Sequence, residues 1–87
     1  MSNLLFFYGE ECPHCKKMEV HVSKLENDHG LKIERLEVWN NEDNIAKMES
    51  LDKEPCGGVP FFINLDTQTT VCGEATYEEL RAWAGLE

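Results

Sequence analysis

The chain has 87 residues, 41% of them apolar and 29% charged, which suits one globular domain over 1–87 and leaves no room for a second. Eight Lys and Arg against seventeen Asp and Glu give a net charge of -9, a field that repels phosphate backbones and anionic lipid, so no nucleic-acid or membrane partner is expected. The longest apolar run, Leu4 to Tyr8, is too short to span a bilayer, and Met1-Ser2-Asn3 lacks the basic start of a signal peptide. The expectation is a cytoplasmic monomer.

Leu4-Leu5-Phe6-Phe7-Tyr8, ended by Gly9, reads as a strand buried on both faces. From Pro13 to His29 the apolar residues Met18, Val22 and Leu25 recur at helical spacing, with Pro13 suited to the first helical position and Gly30 to the position past the last. Leu31 to Val38 is strand-like, but its alternation fails between Ile33 and Leu36, which suggests a bulge or a bend. Asn40 and Asn41 offer cap oxygens to a helix that Ile45, Met48 and Leu51 carry to about Lys53. Glu54-Pro55-Cys56-Gly57-Gly58 is a loop, Pro60 to Leu65 a strand, Asp66-Thr67-Gln68 a turn, and Thr69 to Cys72 the returning strand of a hairpin. Thr76 and Glu79 form a capping box that opens a last helix, with Leu80 and Trp83 facing inward. Phe61 and Phe62 should alternate between the two faces of the sheet, and Trp39 and Trp83 should pack. His21 and His29 need no role beyond a solvated helix surface.

The order β-α-β-α-β-β-α describes an α/β fold, a four-stranded mixed sheet with helices on both faces. With Cys12-Pro13-His14-Cys15 after the first strand and Gly58-Val59-Pro60 opening the third, the chain resembles the thioredoxin and glutaredoxin superfamily in its minimal form. The resemblance covers nearly the whole length.

Disulfide exchange needs a thiolate, and Cys12 stands just before a helix, where unpaired N–H groups and the helix dipole favour negative charge on sulfur. Pro13 shapes the first turn, and Cys15, one turn on, is placed to resolve a mixed disulfide on Cys12 into a Cys12–Cys15 disulfide. His14 between them offers a donor or a positive charge, whereas Glu10 and Glu11 oppose a negative sulfur and Lys16 and Lys17 offset them in part. The same Pro-His pair occurs in larger periplasmic disulfide-forming oxidases, and Glu11 stands where thioredoxins carry Trp. The resemblance further implies a cis Pro60 beside the cysteine pair and a substrate chain held by the backbone of Val59, as in strand addition.

The residues thus point to a thiol–disulfide oxidoreductase acting on disulfide-containing proteins, recycled by a reductase and needing no bound cofactor or metal. Glutathione is the alternative cofactor. Of the glutaredoxin loop that receives its carboxylates, however, Val71 to Tyr77 keeps only Gly73 and the cap at Thr76, and Glu74 would repel a carboxylate. A different class of reading makes the four cysteines a metal-binding module, which would require Cys56 and Cys72 to complete a four-ligand site. Cys56 and Cys72 read first as small buried residues. A Cys56–Cys72 pair, or accessory redox thiols, are the other readings. Hairpin register places Cys72 opposite Phe62, so a pair needs the loop at Cys56 to fold back.

Overall fold

The computed structural model describes residues 3–52 and 56–86. The run Leu4–Tyr8 forms strand β1, followed by α1 (Pro13–His29), β2 (Glu34–Glu37), α2 (Glu42–Leu51), β3 (Phe61–Asn64), β4 (Thr69–Cys72) and α3 (Tyr77–Trp83). This is the expected order. The expected end of α2 near Lys53, and Glu54 and Pro55 of the following loop, lie outside the described residues. The strands form one sheet in the order β2-β1-β3-β4, with β1 and β2 parallel and the other two pairings antiparallel.

Alternation along the central strands sorts the core into two halves. Phe6 and Phe62 face α1 and α3 and pack with Met18, Val22 and Leu25 on one side and Leu80 and Trp83 on the other. Leu5, Phe7, Phe61 and Ile63 face α2, where Ile45, Met48 and Leu51 cover them. The rings of Phe6 and Phe62 stack 4.7 Å apart, and Trp83 meets Phe62 edge-on at 5.4 Å, so Trp83 packs as expected. Burying each such ring contributes roughly 2–3 kcal/mol, and each ring pair adds about 0.5–1.5 kcal/mol. Asn64, 4% exposed, is the buried polar exception among the described residues: its Nδ2 donates to the carbonyl of Trp83, and its Oδ1 accepts from the N–H of Asp66.

The helix ends follow the sequence. Pro13 opens α1, and Gly30 closes it at φ 64°, its N–H donating to the Glu26 carbonyl at 2.8 Å; most side chains would be strained at that φ. Thr76 and Glu79 make the capping box in both directions. No helix among the described residues is long and apolar enough to cross a membrane.

Three expectations are corrected. The strand expected over Leu31 to Val38 spans only Glu34–Glu37, and its pairing with β1 runs unbroken, with no bulge. The apolar pattern falters because Arg35, on the face of Ile33, reaches carboxylates of α1 instead of packing: it forms ion pairs with Glu19 at 2.6 Å and Glu26 at 2.8 Å. These bonds hold Arg35 well above its ordinary pKa and lower both glutamates. The hairpin register is also displaced by one residue, with Cys72 opposite Phe61 rather than Phe62. Gln68 adopts φ 64° and donates its N–H to the Asn64 carbonyl, which makes the turn four residues long instead of three. A one-residue slip moves every side chain to the other face.

The slip carries Cys72 to the α2 side, where the loop at Cys56 packs. Cys56 and Cys72 are therefore not small buried thiols but a disulfide, with Cα atoms 5.6 Å apart. Cys56 is half-buried and Cys72 is exposed. Asp52, capping α2, helps turn the loop back by accepting the N–H of Cys56 at 2.9 Å and 3.0 Å.

Candidate active site

Cys12 occupies the N-cap of α1, with extended backbone at φ -82° and ψ 112°, and Pro13 starts the helix. This geometry turns the Cys12 sulfur back onto the first turn, where the N–H of Cys15 donates to it at 3.1 Å. A cap oxygen ordinarily plays this part; a sulfur there gains an N–H donor and the positive end of the helix dipole. The N–H of Cys12 is itself fixed by the Gly9 carbonyl at 3.1 Å. Both thiols are free and nearly enclosed, at 3% and 2% exposure. Burial first, then the hydrogen bond and charge of Cys12, push the Cys15 thiol up to about 12. The two sulfurs thus differ in kind: one receives an N–H at the end of a helix, the other is held protonated behind it.

A cleft of about 110 Å³ opens beside Cys15, between Tyr8, Glu10, Lys16 and Glu19. Glu19 in this cleft is already engaged by Arg35.

His14 points away from the core and is hydrogen-bonded through Nδ1 to the carboxylate of Glu74. An ionised carboxylate only accepts, so the proton of that bond sits on Nδ1. From the sequence alone Glu74 reads only as a charge that repels ligands. Sixty residues separate it from His14, and no spacing rule joins them. Glu37 was also missed. Its carboxylate accepts the N–H of Glu10 at 3.0 Å, of Trp39 at 3.0 Å and of Asn40 at 2.8 Å, tying the loop after β2 to the loop before Cys12. Against the desolvation that would raise it, these three donors hold Glu37 below the usual glutamate range.

The Val59–Pro60 bond is cis, and Pro60 is buried. Register brings Phe61 opposite Phe7, so Val59 and Pro60 leave β3 at the end of the sheet where β1 runs into Gly9 and the cysteine loop. Val59 packs against both halves of the core, including the half that contains Cys12 and Cys15. The Pro60 carbonyl accepts the N–H of Gly73 at 2.8 Å, which brings the segment of Glu74 to the same end. Cys56 and Cys72 are not part of this cluster. They lie on the α2 side of the sheet, and the bond between them leaves neither free as a thiol or a metal ligand.

No protein-family model matches the chain, and no curated protein matches it in sequence. Among solved structures, the crystal structure of a glutaredoxin from Archaeoglobus fulgidus superposes with a TM-score of 0.67 at 20% identity, covering 95% of this chain and 86% of the other. The fold is glutaredoxin-like. Within that glutaredoxin-like fold, the motif Cys12 to Cys15 and the cis Pro60 share one end of the sheet, as the sequence resemblance implied.

Proposed function

We propose that the chain is a thiol–disulfide oxidoreductase acting on disulfide-bonded proteins through Cys12 and Cys15. The observation that carries this reading is the N–H of Cys15 on the Cys12 sulfur at the start of α1, with the Cys15 thiol behind it pushed up to about 12. The Cys12 thiolate attacks one sulfur of a substrate disulfide, and the other sulfur leaves as a thiolate. Cys15 then gives up its proton and attacks the Cys12 sulfur, releasing the second substrate thiol and leaving a Cys12–Cys15 disulfide. The substrate gains two electrons, and a reductase restores the dithiol. Pro13 shapes the turn, and His14, oriented by Glu74, sets the charge around Cys12. Val59 offers its backbone to an extended substrate, while Pro60 has no N–H to compete for the substrate sulfur.

Protein substrates are favoured over glutathione because Glu74 presents a carboxylate in the loop where the resemblance to glutaredoxins would place a glutathione carboxylate. The direct test mixes the reduced protein with a disulfide-bonded protein such as insulin and follows both partners by mass spectrometry. One substrate disulfide should open for each chain that becomes oxidised at Cys12 and Cys15. An unchanged thiol count on both sides would end the reading.

Glu74 gives a second prediction. Its charge adds to the negative field at the cysteine end of the sheet and also engages His14. Glu74→Gln should therefore favour the dithiol form and make the Cys12–Cys15 potential less negative, by roughly 10–20 mV for a partly exposed charge. Equilibration against a dithiol–disulfide redox buffer measures it, and a shift to more negative values would show that Glu74 acts mainly by supporting His14.

A further inference from the structure

Trp39 was expected to pack, yet it is 53% exposed, and with Val20 it is one of two large hydrophobic residues so exposed among the described residues. Its place is not accidental. The indole lies on Gly9, where a Cβ would meet ring carbons at 2.3 Å and 2.4 Å, so only glycine admits this approach. Gly9 is also the residue whose carbonyl fixes the N–H of Cys12. Glu37 ties the backbone of Trp39 to that of Glu10, and Asn40 Nδ2 donates to a Glu10 carboxylate oxygen at 3.2 Å. Exposed ring, exposed carboxylate and cysteine loop are therefore one fixed unit at the rim of the site.

We propose that Trp39 and Glu10 form a docking platform for a cationic side chain, Arg or Lys, that neighbours the disulfide in a substrate polypeptide. This deepens the oxidoreductase reading and rests on it for the identity of the substrate. Charge complementarity selects the occupant. The segment from Glu37 to Asn44 carries Glu37, Glu42 and Asp43 and no Lys or Arg, and Glu10 and Glu11 precede Cys12. Arg35, the nearest cation before Trp39, is taken up by Glu19 and Glu26, Lys47 follows on α2, and Lys16 borders the cleft beside Glu10. A cation over an indole gains from the ring quadrupole, and an adjacent carboxylate adds Coulomb attraction that salt weakens. An acidic side chain would be repelled, and an apolar one would gain nothing from Glu10.

Two readouts separate this proposal from the reading on which it rests. The first is binding without chemistry. The Cys12→Ser, Cys15→Ser protein is titrated with peptides carrying Arg, Leu or Glu beside a disulfide, and the tryptophan fluorescence is followed, with Trp39→Ala as the control that reports the buried Trp83 alone. The Arg peptide should bind tightest, with an advantage over Glu of roughly tenfold at low salt that shrinks at high salt. The second is the ratio of kcat/KM for the Arg and Glu peptides in the intact protein. Trp39→Ala should lower that ratio roughly threefold to fivefold and Trp39→Phe should restore part of it. Glu10→Gln, which leaves the ring in place, should also lower it. Equal binding of the three peptides, or preference for Leu, overturns the proposal whatever the turnover. Arg-selective binding without any turnover upholds the platform and removes the oxidoreductase reading instead.

Discussion

Replacing Cys15 with serine should yield a protein that captures its substrate and does not release it. Cys12 keeps its place at the helix N-terminus in this variant, so attack on a substrate disulfide proceeds, but no second sulfur lies behind it to break the mixed disulfide. Mass spectrometry of Cys15→Ser incubated with a disulfide-bonded protein should show a covalent adduct through Cys12 that dithiol dissolves. Cys12→Ser should lose disulfide reduction by at least about a thousandfold, since a hydroxyl is far less readily ionised and far less nucleophilic toward sulfur. Full activity in Cys12→Ser, or no adduct in Cys15→Ser, would remove the mechanism. The pH dependence follows from the raised Cys15 thiol. Bonding of Cys12 to substrate removes its charge and its part in the Cys15 hydrogen bond, but burial remains. Cys15 is then still mostly protonated at neutral pH, and resolution in the intact protein should speed up as pH rises from about 6 to 9.

Removal of the Cys56–Cys72 bond should have the largest effect on stability. It closes a loop across a sequence separation of 16 residues, for which chain entropy alone gives about 3 kcal/mol. In a domain of this size that corresponds to a fall in Tm of roughly 12–24 °C. The comparison is made in the Cys12→Ser, Cys15→Ser background, so that reductant acts on one disulfide only. There, Cys56→Ala with Cys72→Ala should melt early, and dithiol should lower the parent to the same temperature while leaving the variant unchanged. A variant that melts within about 3 °C of its parent would mean that the bond constrains little in the unfolded chain. The bond also fastens the segment leading to Val59 and Pro60 onto the end of β4, next to the Gly73 N–H that holds the Pro60 carbonyl. Its loss should therefore raise KM for protein disulfides more than it lowers kcat.

The elements that position the site were legible because their signals are local. The apolar run of β1, the Pro13 and Gly30 limits of α1, and the Thr76–Glu79 box each lie within one segment and were found there. What escaped depends on partners far along the chain. Arg35 looked like a break in a strand because Glu19 and Glu26, which receive it, belong to α1. His14 gave no sign of Glu74, and Trp39 gave no sign that Gly9 would leave room for it. The disulfide is not legible from the sequence for a finer reason. A single residue with positive φ, Gln68, lengthened the hairpin turn, and one residue of register decides which face of the sheet Cys72 joins.

Strand β2 also bears on how the protein tolerates its own concentration. It is a sheet edge, with backbone donors and acceptors that another chain could extend into an aggregate. Its sequence is Glu34-Arg35-Leu36-Glu37, only four residues long and charged at three of them. A second copy laid alongside would bring like charges together, and Arg35 is already drawn down onto α1. The arrangement that spoiled the apolar pattern of this strand is one that works against strand addition by a neighbouring molecule.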